Sequence, residues 1–287
     1  MKHRLFSTFV IAIAALLSSC SDDDNNDEPN FMTGKLEVLE YRPAPGQFIN
    51  EGMTATTQQE ADTWAQQRLD NGHYVSLGSF GGYITLQMPK IIKNRNGYDF
   101  GIVGNPFDGS SEPGIVWVSE DVNENGITDD PWYELKGGDE STRGYEVTYQ
   151  KTTEPGDVPW SDNENNSGVI NHLLQYHSQN YYPAWITDNS YTLRGTKLEP
   201  RTVVGNDGIW KNLPFSKGYA DNWGDDKVLD GNNSYLYNRL DLDDAIDQSG
   251  NSVSLQQIHF IKVQSAILHN VPSIGELSTE VYGVKVF

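Results

Sequence analysis

Within the stretch SEDVNENGITDDPWYEL, Ser119 to Leu135, side chains that offer an oxygen recur at every second position: Asp121, Asn123 and Asn125, followed at once by Gly126. A loop that wraps a hard cation needs this spacing, because alternate residues turn their oxygens inward while a glycine makes the sharp bend. Ile127 would add its backbone carbonyl, Asp129 would take the ninth loop position, and Asp130 would stand beside it. The chemistry implied is calcium binding. A site with Kd on the order of 10⁻⁴ to 10⁻³ M stays filled outside the cell, so the role implied is structural, holding the turn and orienting Trp132 and Tyr133. The pattern departs from an EF-hand, since the twelfth position, which should carry a bidentate Glu, is Trp132, and no amphipathic helices flank it. A metal-free turn built on Asx side chains accounts for the same residues.

A second group of residues suits ligand binding. WSDNENNSGVINHLLQYHSQNYYPAW sets Trp160, Tyr176, Tyr181, Tyr182 and Trp185 among amides, and GYADNWGDD adds Tyr219 and Trp223. Aromatic faces pack on sugar rings or a flat macrocycle, and amides satisfy hydroxyls. The candidate ligand-binding set is therefore Trp160, Tyr181, Tyr182, Trp185, Tyr219 and Trp223, with Glu112; burial of the same rings in a core is the competing reading.

Catalytic patterns are weaker. The six histidines show no H-x-x-x-H spacing, and GSFGG around Ser79 lacks the nucleophile elbow and reads as a tight turn. Glu112, Asp99, Asp108, Glu276 and Glu280 could supply a carboxylate pair at the roughly 5–9 Å separations of glycoside hydrolysis. Solvated surface or metal ligation is the reading preferred for them, and the expectation is a protein that is not an enzyme.

These residues need a scaffold, and the scaffold reads as all-β. GGYITLQMP alternates Tyr83, Thr85 and Gln87 with Ile84, Leu86 and Met88; GIVWVSE, IHFIKVQSA and EVYGVKVF add short β-branched and aromatic runs between Gly, Pro, Asn and Asp clusters. The spacing predicts a single antiparallel β-sandwich, jelly-roll-like, over residues 34–287, with one or two short helices. One helix is expected in TQQEADTWAQQRLDNG, where Ala61, Trp64, Ala65 and Leu69 share a face, Thr57 and Glu60 suit a capping box, and Gly72 can end it.

The beginning of the chain reads as an export signal. Lys2, His3 and Arg4 precede the apolar stretch Leu5–Leu17, which is shorter than the roughly 20 residues a spanning helix needs. Leu17-Ser18-Ser19-Cys20 resembles a bacterial lipobox, so residues 1–19 are expected to be removed and Cys20, the only cysteine, acylated. Residues 20–33 then form an acidic tether that cannot bury apolar surface. Losing Lys2 and Arg4 takes the net charge from −20 to about −22. That disfavours nucleic acid and anionic lipid as partners and favours cations. The membrane is expected to be reached through the lipid anchor alone.

In order along the chain, EYRPAPGQFINE, SLGSFGGYITL, YDFGIVGNPFDGSSEPGIVWVSEDVNENGITDDPWYEL, YYPAWITDNSYTLRGTKL, GYADNW and IGELSTEVYGVKV resemble the Bacteroidetes cell-surface lipoproteins, some of which carry PKD-type repeats. The acidic run after Cys20 likewise resembles the tag that sends such lipoproteins to the outer face of the outer membrane. The resemblance spans nearly all of residues 34–287. It implies a surface-displayed β-sandwich without an established catalytic activity, encoded near TonB-dependent receptors and corrinoid-uptake genes. A TonB-dependent receptor or other surface lipoproteins are then the expected protein partners. LDLDDAIDQSG, around Asp244, departs from the tryptophan-bearing strand usual in that family, and His269 and Asn270 stand where a tyrosine or tryptophan is common. A ligand preference carried by those positions does not transfer. The function expected is capture of an extracellular ligand in nutrient uptake, a glycan first and a corrinoid second. A structural or adhesive role and glycoside hydrolysis rank behind both.

Overall fold

The computed structural model describes residues 35–229, 236–271 and 274–287; the expected signal peptide, Cys20 and the acidic tether lie outside the described residues. The architecture is all-β, with several antiparallel sheets and, among the described residues, one α-helix and one short 3-10 turn at Leu242–Asp244. None of the sheets closes on itself into a barrel. No helix among the described residues is long and apolar enough to cross a membrane.

The largest sheet has six strands in the order Glu37–Arg42, Tyr83–Lys93, Gln257–Ser265, Gly114–Ser119, Trp132–Leu135 and Ala245–Ile246. Its alternation decides which face is apolar. Ile84, Leu86, Ile261, Val263, Val116, Val118 and Leu135 are buried in the main core, which also takes Phe100, Ile102, Leu240 and Val284 from a four-stranded sheet built on Phe100–Gly104. The intervening residues form rows on the opposite face. Register sets Thr85, Lys262, Trp117 and Glu134 side by side across four strands. Against this second face stands another four-stranded sheet, which contains Thr142–Gln150 and Ser190–Lys197.

The helix runs from Gln58 to Asp70. Thr57 caps it by accepting the Glu60 N–H at 3.3 Å, and Glu60 returns a carboxylate to the Thr56 N–H at 2.7 Å. Gly72, at φ +71°, ends it, with its N–H on the Leu69 carbonyl. Ala61 and Ala65 are fully buried, and Trp64 stacks on Tyr41 with centroids 5.9 Å apart, so the helix covers one end of the six-stranded sheet.

Candidate functional site

A cleft of about 270 Å³ opens between the second face of the six-stranded sheet and the Thr142–Gln150 and Ser190–Lys197 strands. Trp117, Trp132 and Lys262 come from the large sheet, Arg143 and Arg194 from the facing strands. The Lys262 ammonium stands 4.6 Å from the Trp132 ring centre, 5.7 Å from Trp117 and 5.6 Å from Tyr83. Burial pulls its pKa down, opposed by the carboxylate of Glu40, while three ring faces offer the charge some compensation. Glu134 is buried under the cleft, accepts the Thr196 hydroxyl and faces the Arg143 guanidinium at 3.6 Å. Burial raises its pKa, and Thr196 and Arg143 act against that rise.

Close backbone approach shapes the cleft. The pairing of Thr142–Gln150 with Ser190–Lys197 shifts register between Gly195 and Thr196. The side chain of Gln264 fills the space beside Gly195, where an added Cβ would lie 2.3 Å from its Oε1. Gln264 donates from Nε2 to the carbonyls of Gly81 and Arg194, at 2.8 and 3.0 Å, and so ties the two sheets together at the floor. Trp117 carries a buried indole N–H without a protein partner.

The acidic loop leads directly into this cleft, because residues 120–131 connect the strand of Trp117 to the strand that begins at Trp132. Asp121 accepts the N–H groups of Asn125 and Gly126 at 3.0 and 2.8 Å; Asn125 accepts that of Ile127 at 2.7 Å and donates its amide to Asp129; Asp130 accepts the Val122 N–H. Gly126 takes φ +73°, the left-handed bend that the loop pattern assigns to a glycine. At its base Asp121 N–H meets His259 Nδ1 at 3.0 Å. Both oxygens of Asp121 and the amide oxygens of Asn123 and Asn125 thus accept backbone N–H groups within an Asx-rich turn, while the amide nitrogens of Asn123 and Asn125 face Asp129.

The aromatic residues singled out in the sequence lie elsewhere. Tyr181, Tyr182 and Trp185 are core residues of the main cluster, and Tyr219 is buried in a smaller one. Their polar tips are used internally: Tyr181 accepts the Leu173 N–H, Tyr182 donates to the Asp188 carbonyl, Trp185 donates to Gln58, and Tyr219 accepts the Asp139 N–H. Such rings present no face to a ligand. Trp160 is half-buried and covers Gly168 on the neighbouring strand, and half-buried Trp223 lies under the Lys227 ammonium at 5.0 Å. None of these six residues lines the cleft.

Glu112 belongs to a different constellation. Its carboxylate, that of Asp221 and that of Glu280 offer oxygens within 4.8 Å of one another, a cluster that could hold a divalent cation. Asp221 and Glu280 are buried and Glu112 is half-buried. Asp221 accepts the Asn105 N–H at 3.0 Å and the Glu280 N–H at 2.8 Å, from a backbone held at φ +51°. Burial raises the pKa of all three; the Glu280 carboxyl, which also feels Glu112, Asp221 and Glu276, stands well above the usual range.

The sequence matches no known family model and no curated protein.

Function must therefore be read from these side chains. Trp117, Lys262, Arg143, Arg194 and Gln264 were not among the sequence candidates, although alternation could have marked two of them: Trp117 and Lys262 sit out of phase with the apolar residues of GIVWVSE and IHFIKVQSA. Of the carboxylate cluster, Asp221 carries no local signal, since GYADNW stands out only for its rings.

Proposed function

We propose that the protein is a lipid-anchored β protein of the outer-membrane surface, related to the Bacteroidetes cell-surface lipoproteins, that binds the end of a glycan chain in the Trp117–Trp132 cleft. The observation that carries the reading is the pair of tryptophans with Lys262 between them, open to solvent and rimmed by Arg143 and Arg194. Rings of this kind pack on the apolar face of a sugar, and Gln264, Arg143 and Arg194 can meet its hydroxyls. Three cations against two carboxylates in the lining, Glu134 and Asp247, leave a small positive excess that favours a sugar with a carboxylate of its own, although Arg194 also faces Glu146 at 3.6 Å. A volume of about 270 Å³ falls below the roughly 300–1,000 Å³ of pockets that enclose a drug-sized ligand. That size suits one ring rather than a corrin macrocycle, which keeps the corrinoid reading second. The six-stranded sheet and the Phe100–Gly104 sheet, which share one core, are the two layers of the jelly-roll-like sandwich in this proposal.

Acidic oligosaccharides should quench tryptophan fluorescence saturably, neutral ones more weakly, and neither should release reducing ends. Trp132→Ala should weaken binding about tenfold or more, the equivalent of 1–2 kcal/mol of lost ring burial. Absence of saturable binding across a glycan panel would leave the structural or adhesive reading, and turnover would make the protein a hydrolase.

Calcium in the Asp121–Asp130 loop is the second part of the proposal, with the Ile127 carbonyl and the oxygens of Asp121, Asn123, Asn125 and Asp129 as ligands. It rests on the spacing of those residues in the segment that delivers Trp132 and on the left-handed bend at Gly126. Calcium at a hundredfold excess over Kd should stabilise the fold by about 2.7 kcal/mol, and magnesium, which demands tighter octahedral geometry, should do so poorly. Asp121→Ala should remove this gain in a thermal melt and loosen glycan binding as well. A variant that responds to calcium as fully as wild type would reduce the loop to a polar turn.

A further inference from the structure

The charge of the Glu112, Asp221 and Glu280 cluster is not balanced by the groups that act most strongly on it. The strongest charges acting on Glu280 are carboxylates: Glu112, Asp221 and Glu276. Glu280 is only 4 % exposed, and its Oε1 has no hydrogen-bond partner in the protein. Glu276, 1 % exposed, likewise has one oxygen accepting the Gln47 N–H at 2.8 Å and the other, Oε2, without a partner. A buried carboxylate oxygen with no donor forfeits its hydration and receives nothing in return. Glu280 Oε1, buried and without a donor inside the group of three converging carboxylates, points to a positive ligand there.

We propose that Glu112, Asp221 and Glu280 hold a divalent cation through oxygen ligands, at a site separate from the Asp121–Asp130 loop. Oxygen-only carboxylate ligation selects hard ions. Ligand atoms within 4.8 Å of one another can all bond a single ion, and a cage of several carboxylates suits calcium or manganese better than magnesium, which keeps most of its waters. The Asp221 oxygens already accept the Asn105 and Glu280 N–H groups, which fixes their direction before any ion arrives. Half-buried Glu112 supplies the approach from solvent. The ion would join three segments distant in sequence: the entry to the Gly114–Ser119 strand, the turn after Ala220, and the short strand Glu280–Val281.

The test uses terbium, whose emission is sensitised by a nearby ring such as Tyr74, a residue that feels the charges of Glu280 and Glu112. It is run on the Asp121→Ala/Asp129→Ala chain, so that the loop contributes nothing and failure of the loop proposal leaves this one untouched. One terbium per chain should bind, millimolar calcium or manganese should displace it, and magnesium should displace it less well. Glu280→Gln, nearly isosteric, should lower the affinity at least a hundredfold while preserving the circular dichroism spectrum. Metal analysis of the same chain after calcium dialysis should give one ion, falling to none in Glu280→Gln and in Asp221→Asn. Terbium that fails to bind, or binds Glu280→Gln as tightly as its parent, overturns the proposal and leaves the acids sharing protons.

Discussion

In EDTA the protein should be less stable at pH 8 than at pH 5.5, and Glu276→Gln should remove part of the difference. Glu276 is 1 % exposed, and burial pushes its pKa up from the usual 4.5 to about 7, the Gln47 N–H offsetting only part of the rise. In the unfolded chain the proton leaves near the ordinary value; in the folded protein it stays until about 7. Between those limits the native state binds more protons, so stability falls as pH rises. The contribution is complete below pH 4.5 and is lost through about pH 7, and a shift of this size corresponds to about 3 kcal/mol. Glu112, Asp221 and Glu280 act in the same direction, but their mutual interaction forbids simple addition. Asp139 acts oppositely: burial alone would raise it, yet bonds from Ser216 and Arg201 hold it below the usual range, so its loss falls at more acid pH. Self-repulsion in a chain of net charge −20 also relaxes toward its pI of about 4.5. The variant separates the two causes, because it changes one charge among many. Urea midpoints at the two pH values decide it; wild-type and Glu276→Gln profiles that run parallel would show that Glu276 is solvated and ordinary.

What could be read from sequence follows from how local each signal was. Tyr83–Lys93 alternates along its own length, so its apolar face was visible before any partner was known, and the helix carried its cap, its small-residue face and its terminating glycine within sixteen residues, 57–72. The ten residues from Asp121 to Asp130 also hold a local pattern, and the structure folds them as an Asx-rich turn with Gly126 left-handed. Tyr181, Tyr182 and Trp185 lie in a stretch without strand or helix, where no period tells inside from outside, and composition alone favoured a surface that the core in fact absorbs. The cleft depends on register: Lys262 meets Trp117 only because two strands nearly 150 residues apart pair in one phase. The carboxylate cluster is more remote still, since Glu280 and Asp221 are 59 residues apart and Glu112 lies farther away. Forty acidic residues give no hint which three converge.

Gly82→Ala should unfold the protein or cost more than about 4 kcal/mol, a range exceptional for a single substitution and reached here by overpacking against main-chain atoms. A Cβ on Gly82 would lie 1.9 Å from the Leu77 carbonyl oxygen and 2.3 Å from the Ala44 nitrogen, both main-chain atoms that cannot turn aside. Those two atoms are themselves bonded at 3.0 Å, and on the same segment Gly81 N–H reaches the Ser265 carbonyl at 2.9 Å while Ser265 N–H reaches that of Gly82 at 2.8 Å. Moving the backbone to admit a methyl group would strain all three bonds at once. The same crossing supports the cleft floor and the buried Glu276: the Gly81 carbonyl receives Gln264 at the cleft floor, and Gly46, in the strip that crosses beneath Gly78, lies against the Glu276 carboxylate. Gly156→Ala is the control, since its backbone is not left-handed and the nearest atom to an added Cβ is 4.0 Å away; it should be neutral or slightly stabilising through the unfolded state. Urea denaturation of the two variants should separate them by several kcal/mol at an unchanged slope. Equal midpoints would mean that the 44–46 and 77–82 segments do not cross at this distance, and the floor of the cleft would then have to be drawn differently.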